Sequence, residues 1–226
     1  MPGFGCFGNL ACAGSNPATP NSSHALEWRV NVVLFSIAHK FIVLVGFFVK
    51  TEFEVKILDI DVADVKKRLQ NVGAVKVAER SMRRFVYDLE RIGDSCKSWI
   101  RLRDNGENTT LTYKQIDSFT VDGTKEIEFV VGSFEQTDCF LRKLGFAPTA
   151  YQENKRVEFV LNGVEVDIDY WPKIQPYLEI EADSTERVEE IVKLLGFAMS
   201  DAVSIDVMGV FKKYGFNIHD FKELKF

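Results

Sequence analysis

The chain has 226 residues, 46% hydrophobic and 27% charged, which suffices for one domain with a sizeable core and an appendage. Its net charge of -5 and pI near 5.4 exclude bulk nucleic acid as a partner, because phosphate-backbone binding needs a net basic face. Any anion site must therefore be a local pocket. The cysteines show no CxxC spacing, so neither a zinc site nor a disulfide framework is indicated, and a reducing, cytoplasmic location is expected.

Residues 1–50 differ from the rest of the sequence and show no amphipathic period. The apolar run at 30–49 is about long enough to span a bilayer, but a His and a Lys lie at its centre. A central Lys costs roughly 2.5–3.5 kcal/mol on insertion, which disfavours a membrane anchor. A second hypothesis is that the leader is not native protein. Residues 14–17 read as the translated T-arm of a transfer RNA gene, which would mean that the start codon has been assigned too early. We expect this leader to be poorly ordered and to lie outside a domain at 51–226.

From residue 51 onward, regular periodicity predicts an α+β domain. Helices are predicted at residues 62–72, 133–144, 185–195 and 207–214. Strands are predicted at residues 51–58, 83–89, 98–103, 109–115, 126–131, 156–161, 164–171 and 177–182. This number of strands is near the eight at which a sheet closes into a small barrel. We therefore predict a closed or nearly closed eight-stranded antiparallel β barrel with flanking helices.

The polar faces of these strands carry charges that are sorted by sign. Acidic pairs occur at Glu52/Glu54, Asp167/Asp169 and Glu179/Glu181, and basic residues at Arg101/Arg103, Lys56, Lys114 and Arg156. On a single strand such a face is usually solvated surface, but the recurrence favours one shared cavity. Clustered carboxylates can bind Mg²⁺ or Mn²⁺, and clustered Lys and Arg can neutralise phosphate oxygens. The apolar faces would then pack outward, under the helices.

The order of these motifs resembles that of the CYTH superfamily. This superfamily contains class IV adenylate cyclases and triphosphatases acting on thiamine triphosphate, inorganic tripolyphosphate or RNA 5′ ends. Residues 52–56, which read Glu-Phe-Glu-Val-Lys, resemble its E-x-E-x-K signature. The R-x-R, L-T-x-K and closing E-x-E motifs are matched in order at residues 101–103, 111–114 and 178–181. The resemblance covers about residues 51–216.

The resemblance implies a triphosphate tunnel with three groups of site residues. The ligands of Mg²⁺ or Mn²⁺ would be Glu52, Glu54, Asp169, Glu179 and Glu181, the last with Asp167 in a supporting position. The triphosphate would be bound by Lys56, Arg101, Arg103, Lys114 and Arg156. The catalytic set would be the signature residues Glu52, Glu54 and Lys56. Two further acids on the charged face, Glu126 and Glu128, either join this set or merely pair with neighbouring Arg.

Two positions depart from the family pattern. The late basic strand of the family often carries K-x-R, but Asn154 occupies the first of these positions, so Arg156 alone is carried over. The cyclases also carry His-Phe shortly before the E-x-E-x-K signature, and no His occurs there. In favour of a cyclase, the segment from Asp169 to Glu179 has the length of the corresponding cyclase segment.

Three functions follow from these patterns. The leading prediction is a metal-dependent enzyme similar to class IV adenylate cyclases, which converts ATP to cyclic AMP and pyrophosphate. The alternatives are a triphosphatase hydrolysing inorganic or organic triphosphate, and a non-catalytic polyphosphate- or nucleotide-binding module. The complete acid set favours catalysis, because anion binding alone needs only the bases. The expected partner is a nucleoside or inorganic triphosphate, and a homodimer is one option for assembly.

Overall fold

The computed structural model describes residues 49–89 and 97–226, so nearly all of the predicted leader lies outside the described residues. The strands are β1 (Lys50–Ile57), β2 (Val75–Asp88), β3 (Lys97–Asp104), β4 (Thr109–Ile116), β5 (Thr124–Val131), β6 (Ala150–Leu161), β7 (Val164–Tyr170), β8 (Tyr177–Ala182), β9 (Ala202–Val203) and β10 (Glu223–Leu224). The helices are α1 (Val62–Asn71), α2 (Phe134–Lys143), α3 (Thr185–Leu194) and α4 (Val207–Lys213). Within the described ranges, these helices are too short and too polar to cross a membrane.

Strands β1 to β8 form a closed antiparallel barrel. Their order is β6-β2-β3-β4-β5-β1-β8-β7, and β7 pairs with β6 to close the ring. The short strands β9 and β10 are attached to β1 and β6 respectively. The predicted eight-stranded barrel is therefore confirmed.

The largest hydrophobic core lies outside the barrel wall, under α1 and α3. Successive side chains of a strand point to opposite faces. Outward-facing residues of the strands, such as Val55, Ile168 and Ile180, are buried in one cluster with Leu69 of α1 and Ile191 of α3. The inward face is thereby left to the polar and charged side chains.

A second outer cluster lies under α2. Tyr87 of β2 and Leu102 of β3 are buried there with Phe134 and Leu141 of the helix. The Tyr87 hydroxyl donates a hydrogen bond of 2.8 Å to Asp138, which ties the helix to the wall. This outward position of Tyr87 places its neighbours on β2, one residue before and one after, on the inner face.

Two strands begin at least six residues earlier than the sequence pattern predicted. Strand β2 starts at Val75 instead of residue 83, and β6 starts at Ala150 instead of residue 156. The two strands pair with each other along this added length. The first part of β2 carries a register shift between Lys76 and Ala78, and a bulge of this kind interrupts the two-residue alternation on which the prediction relied.

Because the hydrophobic core lies on the outer face of the barrel wall, Ile168→Ala should destabilise the protein more than a substitution at an exposed strand position. Ile168 is fully buried, so a cost of about 2–5 kcal/mol in the free energy of unfolding is expected. The matched control is Val130→Ala on β5, where the side chain is 66% exposed and the expected change is within about 0.5 kcal/mol. Urea unfolding measures both; equal costs would contradict the inverted core.

Candidate active site

The inner faces of the strands line a cavity of about 810 Å³. Its volume is in the range of small-molecule sites. Most of the predicted site residues line it: Glu54, Lys56, Arg101, Arg103, Lys114, Arg156, Asp169 and Glu179. The structure therefore gathers residues from β1, β3, β4, β6, β7 and β8 around one space. Glu52 and Glu181, which were also predicted, are not among the described lining residues.

Lys56 lies at the centre of an acidic group formed by β1 and β8. Its Nζ atom is 3.0 Å from Glu54 and 3.1 Å from Glu179, and the side chain is almost fully buried. Burial acts to lower the pKa of Lys56, but Glu179 and Glu54 outweigh it and hold this pKa well above its usual value. The ammonium therefore stays charged and occupies the position between two carboxylates.

Arg156 on β6 binds three carboxylates of the neighbouring wall. Its guanidinium contacts Asp169 at 2.5 Å, Asp167 at 2.7 Å and Glu179 at 2.9 Å. These acids outweigh burial and raise the pKa of Arg156 further. Burial raises the pKa of Asp167 to about 8 despite the nearby Arg156. Asp167 is not among the described residues that line the cavity.

Lys114 on β4 forms the third acid–base group. Its Nζ atom donates to both carboxylate oxygens of Glu52, at 2.7 and 2.8 Å, and lies 3.1 Å from Glu126. Glu52 is buried, so this contact neutralises a carboxylate that is removed from water. Glu181 instead accepts a hydrogen bond of 2.6 Å from Lys50.

The two arginines of β3 share one carboxylate. Nη2 of Arg101 lies 3.1 Å, and Nη2 of Arg103 3.4 Å, from the same oxygen of Glu128, which also accepts a hydrogen bond of 2.5 Å from Thr112. The Arg101 charge and burial together lower the pKa of Arg103 to about 10. Burial raises the pKa of Glu128, but Arg101 and Arg103 outweigh it and lower the value to about 2. The structure therefore pairs Glu128 with arginines.

Arg84 on β2 is a cavity-lining cation that the sequence patterns did not single out. Its Cα is paired with that of Arg103 across the β2–β3 ladder, and the side chain is 7% exposed. The sequence does contain a pattern that could have identified Arg84. Phe85 and Tyr87 form the apolar face of this strand, and strict alternation places Arg84 on the opposite face.

One part of the cavity wall is apolar. Trp99 on β3 and Ile116 on β4 lie on strand positions two residues from the charged Arg101 and Lys114, and they line the same cavity. Met208 of α4 and Ile218, which follows that helix in the chain, also line the cavity. We call Trp99, Ile116, Met208 and Ile218 the apolar rim. The cavity thus joins a charged zone to a surface on which an organic ring can pack.

The donor chemistry of the cavity fits a hard divalent cation. Glu54, Asp169 and Glu179 contribute carboxylate oxygens, which are the ligands that Mg²⁺ and Mn²⁺ prefer. Glu54 and Glu179 already hold one ammonium between them, on neighbouring strands. Across residues 49–89 and 97–226, however, no three acidic, His or Cys side chains are gathered into a ready-made metal cage. These carboxylates are engaged by Lys56 and Arg156 instead.

The fold and the site together define this chain as a closed antiparallel β barrel whose interior is lined by paired acidic and basic side chains. The CYTH domain family matches residues 50–203, more than half of the chain. The chain therefore belongs to the CYTH domain family, as its motif order indicated. Among curated proteins, none matches it.

Solved structures share the fold. A conserved hypothetical protein from Pyrococcus furiosus is 26% identical, with a TM-score of 0.58 over 70% of this chain and 98% of that one. A protein from Pyrococcus horikoshii OT3 is 23% identical, with a TM-score of 0.57 over 67% of this chain and 93% of that one. A candidate adenylate cyclase from Vibrio parahaemolyticus is 11% identical, with a TM-score of 0.59 over 73% and 99%.

The low pKa of Glu128 predicts a pH-dependent contribution to stability. Its folded value of about 2 lies below the unfolded value near 4.3, so the stabilisation is present above pH 4.3 and lost as pH falls through 2. Glu128→Gln should therefore cost about 1–3 kcal/mol at pH 7, and less at pH 3. The control is Glu107→Gln, an exposed acid paired with Arg80, which should cost under about 1 kcal/mol. A Glu128→Gln cost that is the same at both values, measured by urea unfolding, would contradict this assignment.

Proposed function

We propose that this protein is a metal-dependent phosphoryl-transfer enzyme acting on a triphosphate substrate, with a reaction of the class IV adenylate cyclase type. The observation that carries the proposal is the convergence of cations on one cavity. These cations come from different strands: Lys56 from β1, Arg84 from β2, Arg101 and Arg103 from β3, Lys114 from β4 and Arg156 from β6. A triphosphate presents several anionic oxygens along a short chain, and such a ring of donors can contact them together.

The bound anion would take over positions that carboxylates hold in this structure. Arg101 and Arg103 share Glu128, and Lys56 is shared by Glu54 and Glu179. A phosphate oxygen that contacts these cations exchanges one charge-assisted contact for another, so binding need not leave a buried charge unpaired. Contacts to oxygens that gain charge as the P–O bond breaks would stabilise the leaving group.

A divalent cation would be held by Glu54, Asp169 and Glu179, with Glu52 and Glu181 as further carboxylates of the same walls. When bound, Mg²⁺ or Mn²⁺ would supply a Lewis acid for the phosphoryl oxygens. The release of Lys56 from Glu54 and Glu179 would leave its ammonium available for a phosphate oxygen. In this proposal the acidic side chains bind the metal ion and the basic side chains bind the substrate.

The apolar rim favours an organic triphosphate, which is the substrate class that the cyclase reaction requires. Trp99 and Met208 offer a surface for a nucleobase beside the charged zone. In this reaction the ribose 3′ oxygen bonds to the α-phosphorus, the bond from that phosphorus to pyrophosphate breaks, and the hydroxyl proton passes to a base. The products are cyclic AMP and pyrophosphate.

Triphosphate hydrolysis is the second candidate. The set of cations that line the cavity favours it, because inorganic tripolyphosphate offers these cations the same phosphate oxygens without an organic group. Here the oxygen of water bonds to the terminal phosphorus, the bond from that phosphorus to the remaining diphosphate breaks, and a proton of the water passes to a base. The two candidates differ in the nucleophile and share the charged zone.

Incubation of the full chain with ATP or inorganic tripolyphosphate, with Mg²⁺ or Mn²⁺, tests the proposal. Cyclic AMP, pyrophosphate and orthophosphate are measured together. Glu54→Gln removes one cavity carboxylate and should lower turnover by at least about 100-fold, because metal ligand and catalytic electrostatics are lost together. The control is Glu189→Gln, an exposed residue of α3, which should leave turnover unchanged.

Each product pattern has a separate meaning. Cyclic AMP with pyrophosphate would support the cyclase, and orthophosphate without cyclic AMP would support the triphosphatase. Binding of ATP or tripolyphosphate without any product would favour a capture module and contradict the catalytic proposal. Absence of binding to both would contradict the triphosphate site itself.

A further inference from the structure

Arg84 differs from the other cations of the cavity. Lys56, Lys114 and Arg156 each contact carboxylates within 3.1 Å, and Arg101 and Arg103 share Glu128. Among the residues that the structure describes, no acid lies within ion-pair distance of Arg84. Its Nε atom has no hydrogen-bond partner, a feature that it shares with Arg101 and Arg103. Its side chain is nevertheless more than nine-tenths buried and lines the cavity.

Neutral groups hold the Arg84 guanidinium in place. Nη2 donates a hydrogen bond to the side-chain oxygen of Asn154, and the guanidinium carbon lies 4.8 Å above the ring centre of Trp171. Trp171 is itself fixed, because its indole N–H donates to the Tyr177 hydroxyl at 3.0 Å and its ring meets Phe211 edge-on. The arginine is thus oriented by a packed indole and an amide, and neither cancels its charge.

The neighbouring positive charges make this position of Arg84 destabilising for the protein when no anion is bound. Burial and the charges of Arg101 and Arg103 together hold the pKa of Arg84 well below its usual value. An unpaired buried cation destabilises a fold, and an apolar residue of similar length is generally better tolerated there. Folding therefore gives no reason for a charge at this position, whereas an incoming anion does.

We propose that Arg84 is a further substrate-binding residue, which contacts a phosphoryl group of the triphosphate together with Arg103, its cross-strand partner. The proposal rests on the triphosphate site put forward above and adds to it a residue outside the motifs of the family resemblance. Asn154 and Trp171 are positioning residues for this contact: they orient the guanidinium fork and leave Nε free for a phosphate oxygen.

The test compares Arg84→Met with Arg80→Met. Arg80 lies on the same strand and carries the same charge, but it pairs with Glu158 and Glu107 and is not a lining residue. Binding of inorganic tripolyphosphate is measured by calorimetry without Mg²⁺, so that no turnover occurs. Arg84→Met should weaken binding about 10- to 100-fold, because a charge-assisted contact is lost, and Arg80→Met should leave it within about twofold.

Thermal unfolding provides a second readout that a structural role would not reproduce. Without tripolyphosphate, Arg84→Met should melt at a higher temperature than the unsubstituted protein, because an unpaired buried charge is removed. With tripolyphosphate, its gain in melting temperature should be smaller than that of the unsubstituted protein. Arg84→Lys keeps the charge but lacks the planar guanidinium. Its affinity for tripolyphosphate should therefore lie between those of the unsubstituted protein and Arg84→Met.

The outcomes separate this inference from the proposed function. If the unsubstituted protein binds tripolyphosphate and Arg84→Met binds it equally well, the role of Arg84 is overturned while the triphosphate site stands. If the unsubstituted protein binds tripolyphosphate neither in this assay nor with Mg²⁺ present, the site and this inference fall together. A lower melting temperature for Arg84→Met, with unchanged affinity, would identify Arg84 as a structural residue only.

Discussion

The neutralisation of buried charge is the constraint on which this structure depends. The barrel wall turns its charged faces inward, where carboxylates and cations are removed from much of the water that would otherwise solvate them. Each such charge is costly unless a partner lies within contact distance. The cost is met by close partners: Lys56 contacts Glu54 on its own strand and Glu179 on the neighbouring strand β8, and Arg156 contacts Asp169 on the neighbouring strand β7.

The inverted arrangement separates stability from function. The apolar residues that hold the wall together, such as Val55 and Ile180, lie outside the barrel with α1 and α3. The inner face is therefore released from the need to form a hydrophobic core and can carry paired charges. A rigid, closed wall also fixes the spacing of these charges, which favours recognition of an anion whose own charges have a fixed spacing.

The same charge pairs connect the resting protein to the proposed reaction. A phosphate oxygen can replace a carboxylate beside Lys56 or Arg101, and a divalent cation can replace an ammonium between Glu54 and Glu179, without a change of sign at either position. Arg84 is the exception, since no acid among the described residues holds its place. It marks where the charge balance of the described cavity is incomplete without a ligand.

The sequence by itself determined the class of fold and most of the charged set, because two-residue alternation assigns each side chain to a face and the order of signs follows the strands. It underestimated the length of β2, where a register shift between Lys76 and Ala78 interrupts that alternation, and the length of β6, whose first residues pair with β2 in regular register. Tertiary structure alone decided which acid meets which base. Glu128 meets both Arg101 and Arg103, and Glu52 meets Lys114, whereas the partners of Arg84 among the described residues are an amide and an indole. Those contacts depend on the closure and register of strands distant in the chain, which no local pattern encodes.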